Sequence, residues 1–182
     1  ETNDDLAMSM IIHGYGNNAY SSPQIVFSNV LWGAFIWLMP SSNGILAYSW
    51  VTLTLLLFVT WAIYYFQVRL GCPYFIAIGL TILVMSRAIV FPQFTLNAGL
   101  ATVAAIIGLM VYKQSFSIWI LAVTSLLAFI GFLIRSREFA LVLLVALPLI
   151  PWRSLFCNRR FLTALVFLSI TMIFSVTVDN LS

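Results

Sequence analysis

Charge is the scarcest feature of this chain. Its 182 residues hold eight Lys/Arg, five Asp/Glu and a single His, so that 7% of positions are charged. A soluble domain carries about 25% charged residues, and so few charges cannot cover a particle that faces water. A cytosolic enzyme and a disordered tail are therefore excluded. The basic residues stand singly at the ends of apolar runs, which excludes a nucleic-acid surface and leaves no nucleic acid among the expected partners. Cysteine is nearly absent too. Cys72 and Cys157 lie far apart, with no His or Cys at metal-ligand spacing, so reduced structural thiols are expected rather than a disulfide framework. No phosphate-cradling glycine loop, HExxH or GxSxG is present, and the chemistries those motifs carry have no support. No acidic residue stands in mid-span, where a proton-coupled carrier often has one.

What is there is apolar. Hydrophobic residues make up 63% of the chain, and the mean hydropathy is +1.08. At about 20 residues per span, such a chain can cross a bilayer about six times. The expected fold is all-α: a polytopic transmembrane helical bundle of about six spans. Two parts are expected. Residues 1–44 hold the acidic pair Asp4-Asp5, and residues 45–182 form the bundle. The net charge of +3 and pI near 9.1 read as loop charge that sets topology.

Along the chain, Asp4 to Ile12 reads as a short helix. Thr2 and Asp5 stand at capping-box spacing, and Gly14-Tyr15-Gly16-Asn17-Asn18 breaks it. The chain opens on Glu1-Thr2-Asn3-Asp4-Asp5 rather than Met, without a basic leader or cleavage site. A fragment or processed chain, with an earlier transmembrane helix before Glu1, is expected. Pro23 to Met39 is apolar and Pro-bounded, with Gln24, Ser28, Asn29 and Gly33 as a thin stripe at helical spacing. It reads as a helix that either spans or lies in the interface. Six spans follow: Ile45 to Val68, Tyr74 to Ser86, Phe94 to Tyr112, Phe116 to Ile134, Phe139 to Ile150 interrupted by Pro148, and Phe161 to Val178.

Alternation places Arg69, Cys72, Lys113, Arg153, Arg159 and Arg160 on one side. It places Arg87, Arg135, Arg137, Glu138 and Asp179 on the other. The more basic first side is then cytoplasmic. Asp4 and Asp5 join the outer group if Pro23–Met39 does not span, and the cytoplasmic group if it does.

The candidate chemistry lies in these few charges. Asp4-Asp5 can supply a general base, a divalent-cation site, or both; the plainer reading is helix capping. Arg87, Arg135 and Arg137 can grip a lipid-linked phosphate. They can equally snorkel to headgroups, and Arg135 or Arg137 can pair with Glu138. His13 is a lone loop histidine. Gln93 and Asn97 share a helical face beside Pro92 and can bind a polar substrate or another helix. Tyr15 and Tyr20 can stack on a sugar or sit at an interface.

The order of these segments resembles a known family. Asn3-Asp4-Asp5 with Met8 is followed by a Gly-containing loop, then Ser22-Pro23-Gln24-Ile25-Val26-Phe27-Ser28-Asn29-Val30-Leu31-Trp32-Gly33 and a long span. Phe91-Pro92-Gln93-Phe94-Thr95 opens a later span, and Ile134-Arg135-Ser136-Arg137-Glu138 closes another. This is similar to the polytopic GT-C glycosyltransferases, and closest to bacterial and phage enzymes that decorate O-antigen and other surface polysaccharide. The resemblance implies residues 1–44 as an outer loop with the acidic motif and juxtamembrane helices, Asp4 as general base with Asp5 as its partner, and Pro23–Met39 as a non-spanning juxtamembrane helix. It gives Arg87, Arg135 and Arg137 a place at the donor phosphate. It also implies a polyprenyl-phosphate-linked sugar donor, a glycan or lipid-linked acceptor, and an active site on the periplasmic side of a bacterial inner membrane. The family's first transmembrane helix and its C-terminal part lie outside residues 1–182, so this would be the catalytic half. Two rivals remain: a polysaccharide polymerase or ligase of the same pathway, and a small-molecule transporter or structural membrane subunit.

Overall fold

The structure, a computed structural model, describes residues 3–16, 20–41 and 45–181, with side chains from Asp5 onward. The described residues form helices joined by loops and turns, with no strand among them. The order is α1 (Asn3–His13), α2 (Val30–Trp37), α3 (Ala47–Arg69), α4 (Tyr74–Val90), α5 (Phe94–Ser115), α6 (Ile118–Ile134) and α7 (Ser136–Ala146). A 3-10 turn (Leu147–Leu149), α8 (Trp152–Phe156) and α9 (Arg159–Leu181) complete it.

Among the described residues three helices are long and apolar enough to cross a membrane: α3, α5 and α9, with mean hydropathies of 1.7, 1.9 and 2.3. A helix satisfies its own backbone donors and acceptors, so these runs are helical in a solvent that offers neither. Pro73 starts α4, and Pro92 separates α4 from α5 because proline cannot continue the ladder of the helix before it. Helices α4 and α6 are apolar but only 17 residues long.

Helix α5 is the core. Its inward face is built from Ala98, Ala101, Ala104, Ala105 and Gly108, small residues that let backbones approach where lipid supplies no hydrophobic drive between helices. A methyl group on Gly108 would stand 2.3 Å from Thr124 Oγ1 on α6 and 2.9 Å from the Phe66 ring on α3. One on Gly131 of α6 would stand 2.6 Å from Thr102 Oγ1 of α5. The three helices therefore meet at glycines. Helix α9 packs at the periphery, with only 11% of its apolar window buried.

Two stretches differ from expectation. Pro23–Met39 is not one helix: its helical part is Val30–Trp37, eight residues, about 12 Å against a hydrocarbon core of about 30 Å. The polar stripe therefore does not lie along a helix. Gln24 and Ser28 belong to a loop, and Asn29 caps α2, its side chain accepting from Leu31 N at 3.0 Å. Gly33 is pressed against that loop, since a Cβ there would fall 1.8 Å from the Pro23 carbonyl oxygen. The second difference is at Phe139–Ile150. Helix α7 has 11 residues, about 16 Å, and ends where Pro148 removes a backbone donor. The return path from the end of α6 to the start of α9 is thus a broken one, through α7, the 3-10 turn and α8. Elsewhere α4 runs four residues past Ser86, to Val90. Helix α1 matches its expected span, with Gly14 and Gly16 at φ +66 and +69 ending it. The proposed cap at Thr2 and the turn residues Asn17 and Asn18 lie outside the described residues.

Candidate functional site

One end of the bundle gathers most of the charges singled out in the sequence. The ends of α4 and α6 and the starts of α3 and α5 meet there, together with α1. Asp5, in the first turn of α1, carries the first half of the site. Its Oδ1 accepts the Tyr48 hydroxyl at 2.5 Å and the Phe94 backbone N–H at 3.3 Å. Phe94 is the first residue of α5, and its N–H is one of the donors that a helix cannot satisfy internally. A carboxylate there also faces the positive end of the helix dipole. Asp5 therefore does cap a helix, though one from a distant part of the chain. Tyr48, 8% exposed, is the buried partner in this contact.

His13, at the other end of α1, does the same for α3. Its Nε2 accepts from the Tyr48 backbone N–H at 3.4 Å. Burial lowers its pKa from the ordinary value of 6.5, since a charged ring would lose hydration and its acceptor lone pair. Tyr15 folds back on the same helix, its hydroxyl donating to Ser9 Oγ at 3.0 Å. Together Asp5 and His13 pin α1 across the starts of α5 and α3.

Arg135 carries the second half. It sits in extended backbone between α6 and α7. Its Nη1 donates to Thr95 Oγ1, and its Nε lies 3.6 Å from Glu138 Oε1. The guanidinium carbon stands 5.1 Å from the centroid of Phe94 and 5.7 Å from that of Phe27. Those two rings lie nearly parallel, 6° apart in tilt with centroids 6.4 Å apart. Aromatic faces attract a guanidinium electrostatically, so the head group is held by a ring bracket, a hydroxyl and a carboxylate. Arginine has five N–H donors, and the two on Nη2 make no hydrogen bond with the described residues. Asp5 and Arg135 thus both meet Phe94 at the start of α5, and Arg135 also meets Thr95. Phe27 holds its place with φ +67, a left-handed conformation costly for a bulky side chain.

The other sequence candidates fall as follows. Gln93 is the residue immediately before α5, half-buried, and Asn97 one turn later is 3% exposed with its Oδ1 unpartnered. Arg87 and Arg137 are exposed at the same end, and neither makes a hydrogen bond or ion pair with the described residues. Of the two arginines considered for Glu138, Arg135 is the one that pairs. The Asp4 side chain lies outside the described residues. Among the described residues no three of His, Cys, Asp and Glu gather at a metal site. Sequence reasoning passed over Tyr48, Thr95 and Phe27 as site residues; each is ordinary in type and acquires a role only through contact. Asp179 was placed on this face by alternation alone. Its Oδ1 accepts from Val30 N at 2.8 Å, at the start of α2, while Asn29 bridges Leu133 O and Ser175 O. Cys72 and Cys157 are free thiols toward the opposite end.

Comparison with protein-family models, curated proteins and solved structures returned no match.

Proposed function

We propose that the protein is a membrane glycosyltransferase that moves a sugar from a polyprenyl-phosphate donor to a glycan or lipid-linked acceptor, at the outer face of a bacterial plasma membrane. One observation carries this reading. A carboxylate-bearing helix and an arginine with two N–H donors uncommitted among the described residues meet at a single helix start, at one end of an apolar bundle. Transfer from a lipid phosphate needs a base for the acceptor hydroxyl and a positive group for the departing phosphate.

In this mechanism Asp4 takes the acceptor proton. The acceptor oxygen attacks the anomeric carbon, and the bond from that carbon to the phosphate oxygen breaks. The electron pair stays on the lipid phosphate, which Arg135 Nη2 receives. Asp5 is a positioning residue: its bonds to Tyr48 and Phe94 fix α1, and hence the backbone of its neighbour Asp4, at the start of α5. Arg87 and Arg137, exposed at the same end, draw anionic lipid toward it. Sugar transfer from the lipid donor, measured with the full-length Asp4→Asn protein, tests the assignment. The expected result is a loss of about a hundredfold or more; unchanged transfer removes Asp4 as base. Assays with and without EDTA test the divalent cation proposed at Asp4 and Asp5, which unchanged turnover would remove.

A second reading, a membrane subunit without catalysis, is favoured by a separate observation: Asp5, His13 and Asp179 each hold the start of a helix. It predicts that Asp4→Asn and Arg135→Ala change stability or assembly and leave no transfer activity to lose.

A further inference from the structure

A cavity of about 640 Å³ lies beside Arg135, between the 24–30 loop, the junction of α6 and α7, and the last turns of α9. Small-molecule sites span about 300–1,000 Å³. Phe27 and Phe132 give it aromatic walls, while Ser28, Ser136 and Asp179 give it polar ones. Ser28 Oγ is buried with no hydrogen-bond partner among the described residues. An unmade bond at a buried hydroxyl is costly, and a ligand hydroxyl would make it.

The charges around the cavity narrow the ligand. No Lys or Arg lines it and Asp179 does, which disfavours an anion. The Arg135 guanidinium, 5.7 Å from the Phe27 centroid, sets a fixed positive charge against one aromatic wall, which disfavours a second cation. A neutral ligand with one apolar face and several hydroxyls satisfies both conditions, and a sugar ring is of that class. Its C–H face fits an aromatic wall, and its hydroxyls fit the serines and the carboxylate.

We infer that this cavity is a binding site for a neutral pyranoside, the sugar of the acceptor. The inference rests on the transferase reading for the word acceptor, and on the cavity alone for the sugar. Phe27 is common to the cavity and the Arg135 bracket, so the site would place the acceptor sugar next to the donor phosphate.

The test uses the full chain in nanodiscs, titrated with methyl glucoside, methyl galactoside, methyl mannoside and methyl rhamnoside, with binding read by saturation-transfer NMR. At least one glycoside is expected to bind. Ser28→Ala and Phe132→Leu should each weaken it about tenfold, the scale of one lost ligand contact. Ser28→Ala should fold with unchanged or raised Tm, because it removes an unpaired hydroxyl. Three outcomes overturn the inference: no binding by the wild type, binding unchanged in both variants, or competition by tetramethylammonium. Transfer activity is read separately. Glycoside binding without transfer removes the transferase reading and keeps the sugar site. Transfer without glycoside binding removes the sugar site and keeps the transferase.

Discussion

Arg135 shows how a scarce charge becomes a site. Its guanidinium is held on three sides by Thr95, Glu138 and two phenyl rings, so a change of head group matters more than a change of charge. Arg135→Lys keeps the charge but loses the planar fork. Transfer is expected to fall about tenfold in the Lys variant and about a hundredfold or more in the Ala variant, as read by kcat/KM with the lipid donor. Asp5→Ala strands the Tyr48 hydroxyl and the Phe94 N–H; a loss of about 1–3 kcal/mol is expected in denaturant unfolding in detergent, and Asp5→Asn should recover part of it. His13 gives a pH dependence. Its folded pKa is lowered from 6.5, so as pH falls the unfolded chain takes up the proton first. The stability from the neutral ring is complete above about 6.5 and is lost as pH falls below it, toward the folded value. Tm should therefore drop more in the wild type than in His13→Gln between about pH 7.5 and about pH 5.5. At this scale the sequence was legible where residues are rare. Asp5, Arg135 and Glu138 stand out because an apolar chain seldom keeps a charge without use for it. Tyr48, Thr95 and Phe27 carry no such mark, because tyrosine, threonine and phenylalanine are common in any membrane helix.

The helices divide by the same logic. Helices α3, α5 and α9 were legible because a long apolar run has one stable form in lipid. The stretch from Pro23 to Met39 was misread because hydropathy cannot tell an apolar loop from an apolar helix. Its true start was nonetheless written at Asn29, a capping residue type whose side chain holds Leu31 N. Hydropathy predicts a span over Phe139–Ile150, which Pro148 interrupts. The break leaves α7 with 11 residues. Packing between α5 and α6 depends on Gly131, where a methyl group would stand 2.6 Å from Thr102 Oγ1 and 3.1 Å from the Ala98 carbonyl oxygen. Thr102 itself donates to Ala98 O at 2.8 Å, so the hydroxyl has a bond to lose by moving. Gly131→Ala is expected to cost about 1–3 kcal/mol, the usual range for overpacking. Gly79→Ala, on α4 with nothing within 4 Å of the added methyl, should cost nothing measurable and serves as the control in the same unfolding assay.

Across the whole molecule, the charges sort by end. Asp5, Arg87, Arg135, Arg137, Glu138 and Asp179 belong to the end where α5 starts, while Arg69, Lys113, Arg153, Arg159 and Arg160 belong to the other. Alternation predicted this sorting for all but Asp5, whose side it left to whether Pro23–Met39 spans, and the broken path through α7 and α8 preserves it, because Asn29 ties the ends of α6 and α9 together. Which end faces out is a proposal. In a Cys72→Ser background, a membrane-impermeant maleimide should label Ser136→Cys on intact cells and Cys157 only after permeabilisation; the reverse pattern would turn the protein over and remove an outward transferase. The central claim, that Arg135 at the start of α5 receives the departing lipid phosphate, meets its most direct test in proteoliposomes. The measurement is sugar transfer from a polyprenyl-phosphate donor by wild type, Arg135→Ala and the control Gly79→Ala, each with its Tm recorded. The account predicts transfer by the wild type and Gly79→Ala and loss in Arg135→Ala at a Tm that still shows a folded bundle. Transfer by folded Arg135→Ala at the wild-type rate, or no transfer by the wild type, would contradict it.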